Sequence, residues 1–349
     1  MDGNRSELTG SPRTGRLSAV VGDQAVIGRS ELDVLFAVLR DRGYRVVGPI
    51  VRDGAVVLDE LASAEDLPAG WRDEQEGGHY RLRPSGDQAL FSFANGPQSW
   101  RRFLFPPSIR LWRASRTDDG FEVHPETEEE PRYAFVGVRA CDLRAIGVQD
   151  KVFLEGPEPD PGYAGRRAAA FVIAVNCGEP GGTCFCVSMG TGPKAEAGFD
   201  LALTELVTRD GHRFLVEVGS DDGASVLAEI EHQKASGTDV AEADAVVEGA
   251  RARMGRSMEA TGLRELLAGS YEHPRWDEVA QRCLTCANCT LVCPTCFCST
   301  VEDVADVTGD HAERWRRWDS CFTADFSHIH GGSVRASARS RYRQWLTHL

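Results

Sequence analysis

The sequence is almost without lysine. Lys151, Lys194 and Lys234 are the only three, so arginine carries nearly all of the positive charge, a bias we read as genome composition and not as function. It has no run of the roughly 18 to 20 uncharged apolar residues that a membrane helix requires. The most apolar stretch, Ala168 to Cys177, reads as a buried strand. An apolar signal-peptide core is missing too, because Met1 to Arg16 carries Asp2, Arg5, Glu7, Arg13 and Arg16 among small polar residues. The expectation is a cytoplasmic protein with no membrane attachment. An excess of positive charge is likewise absent. The formal net charge is −14, which argues against nucleic-acid binding, since counterion release at phosphates needs a basic face. There is no GxSxG elbow, HExxH helix or Walker loop. His328 and His330, beside Gly331 and Gly332, read as loop residues in preference to a metal pair. No catalytic side chain is assigned, so chemistry must come from a cofactor.

What the sequence does have is cysteine, eleven in all. A chain of 349 residues buries enough core to need no disulfide staples. In the cytoplasm clustered CxxC spacing points to metal or redox chemistry. The run Cys283-Leu-Thr-Cys286-Ala-Asn-Cys289-Thr-Leu-Val-Cys293-Pro294 matches CxxCxxCxxxCP, the bacterial ferredoxin pattern for a [4Fe-4S] cluster. Two residues between thiols let the backbone curl so that three sulfurs face one cube while peptide N–H groups point at sulfur, and Pro294 blocks continuation of the turn. A four-cysteine zinc site is the rival reading, although zinc usually draws on two separated knuckles. In two-cluster ferredoxins the cysteine before the proline serves the other cluster, so Cys293 need not complete the set begun by Cys283, Cys286 and Cys289. Cys296, Cys298 and Cys321 bring the C-terminal total to seven, one short of what two cubes need, and a single cube with bystanders fits as well. Trp315 and Trp318, read as three apart on a helix, either shield a cluster or anchor the core.

Cys141, Cys177, Cys184 and Cys186 form a second group. Gly178, Gly181 and Gly182 allow close backbone approach beside it. Either the four thiols hold a further [4Fe-4S] cube or they are buried small hydrophobes; the density of thiols favours ligation. Ser188 to Pro193 contains only a GxG, too little for a nucleotide site.

The expected fold class is α+β, a mixed α/β N-terminal domain over 1–222 followed by a helical, ferredoxin-like iron-sulfur module over 223–349. Ser30 to Arg42 predicts a helix with Leu32, Leu35, Phe36 and Leu39 inward. Tyr44 to Val51 and Ala55 to Leu58 predict a hairpin about an Asp-Gly turn. Leu67 to Thr117 predicts short strands and loops, and Asp118 to Pro131 an exposed acidic excursion. Tyr133 to Arg139 reads as a strand, Asp142 to Phe153 as a helix, Gly156 to Arg167 as a loop and Ala168 to Asn176 as a second strand. That is a parallel pair with a helical crossover, whose carboxyl ends would bring Cys141 and Cys177 together. Asp200 to Leu206 and His212 to Val218 predict strands, Ala224 to Ala268 two or three helices, and Pro274 to Cys283 a short helix leading into the cluster run. The basic C-terminus, with Arg335, Arg339, Arg341 and Arg343, is either a solvated helix face or a docking patch.

Three segments together carry a resemblance: Gly137-Val-Arg-Ala-Cys-Asp-Leu-Arg-Ala-Ile146, Asn176 to Pro193, and Cys283 to Cys298. In that order they resemble the β subunit of NADP-linked [NiFe] hydrogenases (sulfhydrogenases) and its relative, the electron-transfer subunit of anaerobic sulfite reductase, from about residue 30 onward. The resemblance implies a non-catalytic electron-transfer subunit of a hetero-oligomer carrying one to three [4Fe-4S] clusters. It would sit between a flavin subunit that binds NAD(P)H and the large and small hydrogenase subunits, or their sirohaem counterpart in sulfite reductase. A structural zinc-binding or assembly module is the alternative of another class. Family members continue past the equivalent of Leu349 into a second CxxCxxCxxxCP motif that shares ligands with the first. Its absence here leaves Cys296, Cys298 and Cys321 as substitutes, or the chain as a truncated form with incomplete sites, or the missing thiols to another polypeptide.

Overall fold

The computed structural model describes residues 18–126, 131–209 and 211–348. In chain order, strand β1 (Gln24–Gly28) leads into helix α1 (Glu31–Asp41), then hairpin β2 (Arg45–Arg52) and β3 (Ala55–Glu60), and a small hairpin β4 (Trp71–Glu76) and β5 (His79–Pro84). A short helix α2 (Arg101–Leu104) precedes hairpin β6 (Ser108–Thr117) and β7 (Gly120–Pro125). Next come β8 (Tyr133–Val138), α3 (Ala140–Phe153), α4 (Pro161–Ala169) and β9 (Phe171–Val175), then hairpin β10 (Leu201–Thr208) and β11 (Gly211–Val218). Helix α5 (Asp221–Leu227), β12 (Gln233–Lys234), α6 (Gly237–Ala252), α7 (Leu263–Gly269), α8 (Arg275–Ala280) and α9 (Asn288–Val292) follow. The chain closes with β13 (Ser299–Ala305), β14 (His311–Trp318), the pair β15 (His328–Ile329) and β16 (Gly332–Ser333), and α10 (Ala338–His348).

Eight strands form one sheet in the order β12-β1-β11-β10-β9-β8-β2-β3. Its centre is parallel, β8 beside β9 and β2 beside β8, as the β-α-β reading expects, because parallel neighbours need a long crossover, usually a helix. Side chains alternate between two cores. Ala134 and Val136 face Leu32, Leu35, Phe36 and Leu39 of α1, whereas Phe135 and Val172 face Trp100, Leu104, Phe105, Ile146 and Tyr163 from α2, α3 and α4. The four inward residues expected of α1 are each fully buried.

Two elements differ from the sequence reading. The stretch read as a loop at Gly156 to Arg167 contains α4: Asp160 caps it by accepting the Tyr163 amide at 2.8 Å, and Pro161 occupies its first turn. Asp-Pro punctuation there starts a helix in place of a turn. Trp315 and Trp318 lie on strand β14, not on a helix, because β14 is held by neighbours on both sides in a second sheet ordered β13-β14-β6-β7. That sheet takes two strands from each side of the boundary read at 222/223, and its β6–β14 register pairs Ser115 with His311 and Ser108 with Arg317. The C-terminal module is therefore both helical and stranded. In the acidic excursion, residues 118–126 form the turn and second strand of the β6–β7 hairpin; residues 127–130 fall outside those described. The basic C-terminus is neither a solvated face nor an open patch at its centre. Arg341 and Arg343 are buried, Arg341 donates to the carbonyls of Phe322 and Arg335, and the Arg343 guanidinium lies 3.3 Å from the Tyr271 ring centre, docking α10 beside α8.

Candidate metal centres

The upstream group is assembled by topology. Cys141 stands in the first turn of α3, directly beyond β8, and Cys177 follows β9 by one residue beyond Asn176. Since β8 and β9 are parallel neighbours, both cysteines emerge at one end of the sheet. Asn176 fastens the loop that returns Cys184 and Cys186 to the same place. Its amide donates to Thr204 Oγ1 at 2.9 Å, and its carbonyl oxygen accepts the Ala195 amide at 2.8 Å. The loop leaves no spare room: a Cβ on Gly182 would meet the Gln75 carbonyl at 2.3 Å, and one on Gly192 would meet the Cys186 sulfur at 3.2 Å. Desolvation by the surrounding chain pushes the Cys141 thiol well up even though the residue keeps exposed surface, and Asp142 with the sulfurs of Cys177, Cys186 and Cys184 pushes it further. Cys186 is likewise raised by burial and by Cys177 and Cys184. Cys184 is raised chiefly by burial. Cys177 is raised by burial against the pull of the Arg139 guanidinium. These thiols hold their protons, so a metal bound here would have to displace them.

Arg139 and Asp142, which the sequence reading left without a role, frame this group. Arg139, 2% exposed, donates to the Phe91 and Phe93 carbonyls at 2.9 and 3.0 Å. Asp142 is also buried and accepts from the Arg139 amide at 3.0 Å, Trp100 Nε1 at 3.2 Å and Asn95 Nδ2 at 2.8 Å. It thereby caps the helix turn that presents Cys141. Both residues stood inside the segment that carried the family resemblance, but nothing in their spacing gave them this task.

Downstream, Thr285 and Ala287 adopt left-handed backbone, with φ of 54° and 64°. Non-glycine residues persist there only when the surroundings require it. Here they produce the curl expected between Cys283, Cys286 and Cys289, and the Thr285 N–H donates to the Cys283 sulfur at 3.4 Å. Cys289 is raised by burial and by the neighbouring Cys283 and Cys286 sulfurs. Past α9 the company changes. The close pairing of the Cys293 and Cys296 side chains holds Cys293 down to about 5 and pushes Cys296 up. Cys296 in turn feels Cys298. Cys321 is buried and pushed up to about 11 by burial and by Cys298 and Cys289, so it sits between the two sets. The structure therefore brings together Cys283 with Cys286 and Cys289, and Cys293 with Cys296 and Cys298, leaving Cys321 within reach of both.

Among the described residues no three His, Cys, Asp or Glu side chains close on one point as the ligands of a single ion do. His328 and His330 belong to the small β15–β16 turn. A cube offers separate iron corners and accepts thiolates spread around it. An all-cysteine donor set, flanked by backbone N–H and left-handed turns, fits that group.

Residues 282–349 match the 4Fe-4S dicluster domain. Over 249 residues the chain is 38% identical to sulfhydrogenase 2 subunit beta of Pyrococcus furiosus, an alignment covering 70% of each protein. The chain belongs to the sulfhydrogenase subunit beta family. No solved structure matches it. The matched dicluster segment of this chain takes in all seven downstream cysteines, while the upstream four lie outside it. No helix among the described residues is long and apolar enough to cross a membrane.

Proposed function

We propose that this chain is the iron-sulfur electron relay of a soluble hydrogenase complex. It stands between a flavin subunit that handles NAD(P)H and the large and small [NiFe] subunits, and binds no substrate itself. Bound [4Fe-4S] clusters would supply one-electron chemistry. Cys141, Cys177, Cys184 and Cys186 would hold one; the seven downstream cysteines would hold the others, to a total of one to three.

The observation that carries the reading is the way helix α3 spans the two groups. It presents Cys141 in its first turn and, two turns later, Gln149, whose amide donates to the Cys296 carbonyl at 3.3 Å. At ~1.5 Å per residue the helix sets these points about 12 Å apart, a short path for an electron between sites wrapped in protein. Phe153 at the far end of the same helix meets Phe297, their ring centres 6.4 Å apart. A zinc module would have no use for two thiol groups linked in this way.

Anaerobic purification followed by iron and acid-labile sulfide counts, visible absorption and low-temperature EPR tests the reading. The expected result is a brown chain with a reduced-cluster signal. A colourless chain that reconstitutes only with zinc would sink it. Co-purification with large, small and flavin subunits supports the hydrogenase complex; recovery with sirohaem subunits would move the relay to an anaerobic sulfite reductase.

A further inference from the structure

The buried cation Arg101 has no carboxylate partner among the described residues. Arg101 on α2 is 4% exposed. Its Nη1 donates to the Cys296 carbonyl at 2.7 Å and its Nη2 to the Leu291 carbonyl at 2.9 Å, so both guanidinium arms hold the backbone of the downstream cysteine segment. Its Nε is buried with no acceptor. The guanidinium lies 3.5 Å from the ring centre of Trp318, which is fixed in turn by donating to the Phe105 carbonyl at 2.9 Å. The groups that act on its charge are the sulfurs of Cys296, Cys293 and Cys298, which would become thiolates on binding a cluster. Arg139, the matching buried arginine at the upstream group, acts electrostatically on Asp142 and Asp73 as well as on cysteine. An unpaired buried charge is costly to keep, so a compensating charge belongs beside Arg101.

We propose that Arg101 is the fixed counter-charge of a [4Fe-4S] cluster on Cys293, Cys296 and Cys298, and that it holds that cluster's reduction potential above what the same thiolates would give alone. This rests on the relay reading. Reduction adds one negative charge to the cluster, and a cation fixed in a low-dielectric site stabilises the reduced form more than the oxidised one. The added electron comes from the donor of the complex, or from dithionite in a titration. Trp318 keeps the guanidinium from turning away, so the charge cannot relax toward water. Arg101 acts on the potential and touches no substrate, which makes it a positioning residue.

The test is an EPR-monitored redox titration of the full chain, purified anaerobically, as wild type, Arg101→Gln and Arg101→Lys. The expected result is one cluster midpoint shifted to more negative potential in the Gln variant, the others unmoved, and the Lys variant near wild type. An unmoved midpoint in Arg101→Gln, or an equal shift of every cluster, overturns the proposal. Should Arg101→Gln lose a cluster, Arg101→Lys decides: iron retained supports the charge, whereas iron lost in both variants assigns the effect to the two hydrogen bonds and overturns it. A wild-type chain without iron takes the relay reading down as well; a wild-type signal with an unmoved Gln variant removes the Arg101 proposal alone.

Discussion

Replacing Asp142 by alanine should cost about 2 to 6 kcal/mol, from two orphaned buried donors at about 1 to 3 kcal/mol each. The Asp142 carboxylate accepts three hydrogen bonds, and their donors differ in what they do when it is gone. Asn95 is exposed and can turn its amide to water. Trp100 and Arg139 are 4% and 2% exposed, so the indole N–H and the Arg139 amide are left buried without an acceptor. Asp142→Asn separates hydrogen bonding from charge. Trp100 and Arg139 both donate to the same oxygen, Oδ2; an asparagine carbonyl there keeps both bonds, and Asn95 need only reverse its amide. The Asn variant should therefore lose about 1 kcal/mol. Guanidinium unfolding followed by far-UV circular dichroism under anaerobic conditions reads both, and an iron count on each variant asks whether the Cys141 turn survives. The alanine variant should shed the upstream iron, about four atoms per chain for one cube, and the asparagine variant should keep it. Ala and Asn variants within 1 kcal/mol of each other would refute the hydrogen-bond argument.

Cys286→Ala or Cys289→Ala should each remove one downstream cluster while leaving upstream iron in place, and Cys141→Ala should do the reverse; iron per chain checks all three. Cys298→Ala, a bystander if seven thiols serve only one cube, should instead strip iron from the Cys293 and Cys296 set, and an unchanged EPR spectrum would exclude it as a ligand. Tyr271→Ala should cost about 1 to 2 kcal/mol through loss of the partly desolvated stack with Arg343, read as earlier unfolding of α10 by hydrogen exchange. Asp239 gives a pH test. Burial alone would raise its carboxyl, but the Ser236 hydroxyl and amide and Arg213 hold it below the ordinary 3.8. Its contribution is therefore full above the unfolded value and is lost as pH falls through the lower folded one. Asp239→Asn should flatten the stability profile of α6 below about pH 4, and a profile unchanged by the substitution would contradict this.

Much of the site was legible because it follows local rules. CxxC spacing dictates the curl at Thr285 and Ala287, and the order strand, helix, strand at residues 133–175 leaves parallel pairing as the simple solution, which carries Cys141 and Cys177 to one edge. What escaped depends on distant partners. Trp315 and Trp318 read equally well as three apart on a helix, and only pairing with β6, some two hundred residues earlier, makes them strand residues. Arg101 lies in Trp100-Arg-Arg-Phe103 with no local mark to distinguish it from Arg102, which stays at the surface beside Gln98. Its role exists only once residues 291–296 come to rest upon it. The C-terminal arginines misled for the same reason, since the ring and carbonyls that take them up come from elsewhere in the chain.

The pairing of β6 with β14 also sets an order of events during synthesis. The hairpin of residues 108–125 emerges early, and until residue 318 has been made β6 presents an unsatisfied row of N–H and C=O groups, the kind of edge that recruits other chains. The ribosome must add nearly two hundred residues, at about 5 to 20 per second, before that edge is covered. The strand that covers it ends at Trp318, the ring beneath Arg101. Covering that edge also brings the Trp318 ring against the Arg101 guanidinium, and a chain halted before β14 would keep a sticky edge and lack that ring.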